Sequence, residues 1–207
     1  HQGKIPILST ETAARSNRVI GLRETRADRK TVATQDFIMI ASGSDSGSLG
    51  CEVWIARKLP ICVISKDSDD TVNFSRVDIK DVAVLHADPR LLVVCVTNPT
   101  QPFNVVVAHA PHHFHNKGDI EKWWTSTNNI LDRMNNKYPT ITLIDANAKM
   151  GLHQNDNNTI GRHHAEPPNN NTHHFTQFLQ QRQLWLPSTF QSIHHGSSTT
   201  WRDTRID

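Results

Sequence analysis

Two apolar runs constrain this chain more than any other feature. Residues 91–97 read LLVVCVT and residues 104–110 read NVVVAHA, with Asn98-Pro99 and Gln101-Pro102 between them. Runs this short, rich in β-branched residues and interrupted by prolines, suit paired strands rather than a helix. They predict a tight hairpin. Further strand-like pieces occur at 17–24 (NRVIGLRE), 35–41 (QDFIMIA), 53–59, 60–65, 83–86, 140–145 (TITLID) and 199–207.

Helical spacing is confined to two stretches. Residues 119–136 carry Ile120, Trp123, Trp124, Ile130, Leu131 and Met134 near one face, with Asp119 as a candidate N-cap and Pro139 beyond the end. Residues 172–186 place Phe175, Phe178, Leu179 and Leu184 on one face, with Pro187 as the stop. Residues 42–50 are Ser/Gly-rich and 154–171 are rich in Asn and His, so both read as loops. Strands dominate and the helices fall between strand groups. The expected fold is therefore an α/β sandwich of mixed sheets rather than a doubly wound parallel sheet.

At 207 residues the chain suits one substantial domain, and no repeat or linker divides it. Hydrophobic residues make up 36% and charged residues 20%, so the polar excess is carried by Asn, Gln, Thr and His. The net charge of +2 permits a nucleic-acid substrate without demanding one. Arg23, Arg26, Arg29 and Lys30 form a small local basic run, which also suits an ordinary solvated face. Cys51, Cys62 and Cys95 lie in apolar stretches without CxxC spacing. That pattern argues against a disulfide framework or cysteine zinc site, and for core thiols in a reducing compartment. No apolar window is long enough to form a spanning helix. The start, His1-Gln2-Gly3-Lys4, has neither an initiator Met nor a leader pattern, and Arg205-Ile206-Asp207 stops inside a strand-like run. The chain is expected to be a piece of a longer protein.

Chemistry-bearing residues gather at strand ends. Asp145 closes an apolar strand and Asn147 follows two residues later. Were the strand to continue, a carboxylate and an amide would face one cleft, able to accept a proton from water and to orient a phosphate oxygen. Both would equally well close a turn. Glu24 ends another strand, where it could give Mg2+ a carboxylate ligand. His109 follows the strongest strand and heads His109-Ala110-Pro111-His112. Thr200-Trp201 and Ile206-Asp207 complete the set. Thirteen histidines are unusual. The clusters at His112, His113 and His115, and at 163–164, 173–174 and 194–195, could suggest zinc, but they lack an acidic residue at zinc-helix spacing and suit solvated loops.

Taken in order, these pieces resemble the endonuclease/exonuclease/phosphatase superfamily, most closely the apurinic-endonuclease-like domains of non-LTR retrotransposons. Leu22-Arg23-Glu24-Thr25-Arg26 stands where the family has a strand ending in Gln-Glu-Thr, and Gly50-Cys51-Glu52-Val53-Trp54-Ile55 where it has a Gly-rich lead into a strand. His109-Ala110-Pro111 stands for Tyr-x-Pro, and Ile144-Asp145-Ala146-Asn147 for Gly-Asp-x-Asn. Thr189-Phe190, Thr200-Trp201 and Ile206-Asp207 follow in the family's order. The likeness runs from about residue 17 to 207.

The resemblance implies a four-layer, deoxyribonuclease-I-like α/β sandwich over residues 1–207, without the family's first strand and without the last strand that carries its catalytic His. It implies DNA nicking that depends on Mg2+, or on Mn2+ in its place, with Glu24 as metal ligand. Asp145 would act on the attacking water, Asn147 would hold the scissile phosphate, His109 would replace the family's Tyr, and Asp207 would orient the catalytic His. Arg26, Asn147, Thr200 and Trp201 would contact DNA. A covalently linked reverse transcriptase and a nuclear location follow from the retrotransposon likeness. Arg23 stands in place of Gln and Ile144 in place of Gly, and with both ends missing the chain is expected to be at most weakly active. Rival readings are a phosphatase or lipid phosphodiesterase of the same fold, a non-catalytic nucleic-acid-binding remnant, and a zinc hydrolase.

Overall fold

In the computed structural model, the structure describes residues 5–66, 72–134, 137–150, 159–163 and 166–193. The described chain falls into two compact units, His1–His109 with Asn129–Asp145, and Ala110–Asn128 with Ala146–Asp207.

Among the described residues, the first unit holds every strand. β1 (Val19–Arg23), β2 (Lys30–Ala33), β3 (Phe37–Ala41) and β4 (Cys51–Ala56) make a sheet in the order β1-β4-β3-β2. Its pairings are all antiparallel. The sequence reading expected two mixed sheets. This one is wholly antiparallel because tight connections turn β2 into β3 and β3 into β4, whereas parallel neighbours need a longer crossover.

β7 (Val82–Asp88), β8 (Leu91–Val96), β9 (Phe103–His109) and β10 (Thr140–Asp145) form the second sheet, ordered β10-β9-β8-β7. β8 and β9 are the expected antiparallel hairpin. β10 pairs parallel to β9, which makes this sheet mixed. The crossover between them contains the helix α2 (Lys117–Leu131). Among the described residues β10 is an edge strand, and it is only partly buried. β5 (Cys62–Lys66) and β6 (Val72–Ser75) form a separate two-stranded ribbon.

The inner faces of the two sheets meet in one core. Ile38, Ile40, Val53 and Ile55 from the first sheet pack with Leu92, Val94, Val105 and Val107 from the second. All eight are 0–3% exposed, and each contributes about 1.5–3 kcal/mol by leaving water. On the outer face of the first sheet, Phe37, Met39 and Trp54 are covered partly by Leu8 and Ala13 of α1 (Ile5–Ala14). Cys51 and Cys95 are buried free thiols, as expected; the side chain of Cys62 lies outside the described residues.

The second unit is built around Trp124 of α2. Phe175 and Phe178 of α3 (Thr172–Gln181) lie 6.0 and 5.6 Å from its ring, and Asn171 accepts its indole N–H at 2.9 Å. The helix α3 ends at Gln181, so Leu184 lies beyond it rather than on its face. The cap of α2 is Asn116, not Asp119: the Asn116 side-chain oxygen accepts the Asp119 N–H at 2.8 Å. Among the described residues, no helix is long and apolar enough to cross a membrane. The strand expected at 199–207 lies outside the described residues.

Candidate active site

At one end of the sandwich, three chain segments bring charged side chains together. β9 and β10 end side by side, with His109 and Asp145 as register partners on adjacent parallel strands. β1, on the edge of the facing sheet, delivers Arg23 and Glu24 to the same place. The two sheets approach closely here because Gly21 has no side chain: a Cβ at that position would lie 2.8 Å from Leu143 Cβ and 3.3 Å from Val107 Cγ2.

Arg23 Nη1 makes an ion pair with Asp145 Oδ2. His109 Nε2 stands 3.9 Å from Glu24 Oε1 and 4.0 Å from Asp145 Oδ2, beyond hydrogen-bonding range in both cases. Burial depresses the His109 pKa below its usual 6.5, the Arg90 cation depresses it further, and the two carboxylates only partly offset this. The imidazole is therefore neutral at pH 7, and its carboxylate neighbours are not ion-pair partners. Its Nδ1 is buried without a hydrogen-bond partner. Glu24 is 59% exposed and has a left-handed backbone, φ 54°, as does Arg26. Such conformations are uncommon for residues with a Cβ and persist only where the surroundings enforce them. Here the Thr25 and Arg26 amides donate to the Gly50 and Leu49 carbonyls, which fixes the bend.

Arg90 belongs to the site, although no sequence motif marks it. β7 and β8 are joined by the two-residue turn Pro89-Arg90, and Asp88 Oδ1 accepts the Arg90 and Leu91 N–H groups at 2.8 Å each. The His109 amide donates to the Arg90 carbonyl at 2.9 Å, and Arg90 Nη1 donates to the His109 carbonyl at 3.2 Å. The turn thereby anchors the end of β9 and sets a cation behind the imidazole. Cys51 is close by, but burial, reinforced by Asp88, raises its thiol pKa to about 12, so it stays protonated and is no nucleophile.

Asn147 lies in the second unit. β10 stops at Asp145, and Asn147 takes a left-handed turn at φ 47°, so the alternation expected of a continuing strand does not reach it. Its Nδ2 donates to the Ala110 carbonyl at 2.8 Å, while its own carbonyl accepts Asn169 Nδ2 at 2.9 Å and Asn171 Nδ2 at 3.3 Å. Thr200, Trp201 and Asp207 lie outside the described residues.

A divalent ion such as Mg2+ takes one or two carboxylates and completes its shell with water and substrate phosphate. Glu24, exposed and on a fixed bend, suits that role, whereas Arg23 already holds Asp145. Among the described residues no three His, Cys, Asp or Glu side chains are arranged to enclose an ion.

Two solved structures share this architecture. One is the endonuclease domain of TRAS1, a telomere-specific non-LTR retrotransposon: TM-score 0.50 and 14% identity, over 84% of this chain and 63% of that one. The other is the AP endonuclease LMAP from Leishmania major: TM-score 0.52 and 10% identity, over 87% of this chain and 62% of that one. The fold is that of the endonuclease/exonuclease/phosphatase proteins. No family model and no curated protein matches the sequence. The chain spans less than two thirds of the length of either structure. Within the endonuclease/exonuclease/phosphatase sandwich, Glu24, His109 and Asp145 share one end of the paired sheets.

Proposed function

We propose that this chain is a metal-dependent phosphodiester hydrolase that nicks DNA, the endonuclease domain of a retrotransposon polyprotein that also carries a reverse transcriptase and works in the nucleus. The observation that supports it most is the convergence of Glu24, His109 and Asp145 at the end of a sandwich shared with two endonucleases. Glu24 would hold the Mg2+ or Mn2+. When bound, the metal supplies Lewis-acid stabilisation of charge building on the phosphate.

The chain's own residues do the rest. Asp145 accepts the proton of the attacking water. His109, neutral and lodged at the strand end whose backbone Arg90 anchors, would face the phosphate with one ring nitrogen. Asn147 is assigned the scissile phosphate, Arg26, Thr200 and Trp201 the DNA, and Asp207 the orientation of a catalytic His beyond the chain.

The test is nicking of supercoiled plasmid with Mg2+ and with EDTA, by this chain and by one extended at both ends. Nicking in Mg2+ that EDTA abolishes supports the assignment, and nicking that survives EDTA would overturn its metal dependence. A second reading, a non-catalytic nucleic-acid-binding remnant, is favoured by the Arg23–Asp145 ion pair, which occupies the proposed base. It predicts DNA binding unchanged by Asp145→Asn and no cleavage by either chain.

A further inference from the structure

The far end of the same unit carries a basic pocket that the proposed hydrolysis does not use. β4 starts at Cys51, the register partner of Arg23, and runs away from the candidate active site to Ala56. Six strand residues put the two ends about 17 Å apart. Just beyond Ala56, a pocket of about 390 Å³ is lined by Gln35, Arg57, Lys58, Arg76, Val77 and Asp78.

Three cations thus meet from two separate segments, and the two guanidiniums are held in place. Arg57 Nη1 donates to the Thr34 carbonyl and Arg76 Nε donates to the Lys58 carbonyl at 3.1 Å. Each contact uses one of the five N–H donors that an arginine carries and leaves the remainder of the fork for a ligand. Two carboxylates lie close by, one of them pairing with Lys58 and the other in the pocket lining. Asp36 pairs with Lys58 at 2.8 Å, and Asp78 caps the following turn by accepting the Ile79 N–H. Neither Arg57 nor Arg76 has a carboxylate partner among the described residues. Two anchored, uncompensated guanidiniums at the mouth of one pocket match the bidentate geometry of a phosphate.

We propose that the pocket formed by Arg57, Lys58 and Arg76 binds a phosphate group of a nucleic-acid backbone, as a contact separate from the candidate active site. It holds whether or not the chain hydrolyses DNA, because it shares no residue with Glu24, His109 or Asp145. Gln35 supplies an amide that can pair with a sugar or phosphate oxygen, and the buried Val77 closes the floor without adding charge.

The experiment is fluorescence-anisotropy titration of the full chain with a labelled 20-nucleotide DNA in EDTA, across a salt series. Removing two phosphate contacts in Arg57→Gln/Arg76→Gln should weaken binding about tenfold and flatten the slope of log K against log salt by roughly one to two. Unchanged affinity and slope would overturn the proposal. Because both arginines also hold backbone carbonyls, unfolding of the double variant is checked by circular dichroism. If it unfolds, the wild-type chain is titrated with inorganic phosphate while the arginine Nε–Hε resonances are followed. Saturable shifts at Arg57 and Arg76 support the pocket, and their absence refutes it. Competition settles the source of the phosphate. An unlabelled oligonucleotide that displaces the probe at far lower concentration than inorganic phosphate or a mononucleotide supports the backbone, whereas equal potency would overturn that assignment.

Discussion

Gly21→Ala is the sharpest test of how the candidate site is held together. The added Cβ would stand 2.8 Å from Leu143 Cβ, 2.9 Å from its Cδ1 and 3.3 Å from Val107 Cγ2. Unstrained carbon contacts need about 3.5 Å or more, so β1 must move outward by roughly 0.7 Å or Leu143 must give way. Leu143 Cβ is fixed to the backbone of β10 and cannot rotate aside. Overpacking of this kind costs about 1–3 kcal/mol, which for a chain of this size lowers Tm by roughly 2–12 °C. The shift also draws Arg23 away from Asp145, since both lie two residues beyond the point of contact. Thermal unfolding followed by circular dichroism reads the loss. Adding Leu143→Gly removes both the Cβ and the Cδ1 contacts, so the double variant should lose less than the sum of the two single losses, by about 1 kcal/mol or more. An unchanged Tm for Gly21→Ala, or strict additivity in the double variant, would show that the two sheets do not meet there.

Other consequences follow from the same geometry. Arg23→Gln should cost no more than about 1 kcal/mol of stability, because Arg23 is 45% exposed and the pair is well solvated, yet it should raise Mg2+-dependent nicking in a chain extended at both ends; lower activity would show that the guanidinium assists the reaction. His109 binds its proton less readily when folded than when unfolded, so its share of stability is intact above about pH 6.5 and lost as pH falls through its lowered folded pKa. Denaturant unfolding between pH 7.5 and 5 should show this decline, and His109→Gln should shrink it; an equal decline in the variant would place the cause at other histidines such as His113 and His174, whose pKa values burial also lowers. Gly161→Ala should destabilise the second unit severely, since its Cβ would fall 2.1 Å from the Thr189 carbonyl oxygen; a folded variant with unchanged near-ultraviolet circular dichroism would contradict that contact.

The sheets were legible wherever burial left an apolar run. β3, β4, β8 and β9 are buried along their whole length, and their sequences are nearly continuous hydrophobic segments. β2 was not legible, because all four of its residues are exposed and its identity rests on pairing with β3. α1 escaped because its residues show little difference between faces, and the sheet it covers was not known from the sequence. For the site, strand ends pointed to Glu24, His109 and Asp145, since charge closing an apolar strand is visible in sequence. Arg90 was invisible because a hairpin register, and no motif, brings it to His109. The Arg23–Asp145 pair was equally hidden, as it depends on β1 crossing β10 at Gly21. Asn147 was misplaced on a strand because the end of β10 is set by a left-handed turn that the pattern of side chains does not announce.

The central claim, that Asp145 lies at the heart of a phosphodiester-hydrolysing site, is tested most directly by single-turnover cleavage of a supercoiled plasmid in Mg2+. The proteins compared are the extended chain and its Asp145→Ala variant, with circular dichroism to show that both are folded. The account predicts a loss of at least about a thousandfold in rate, the scale expected when a proton acceptor and its electrostatic support are both removed. Cleavage by the folded variant at the parent rate would contradict it.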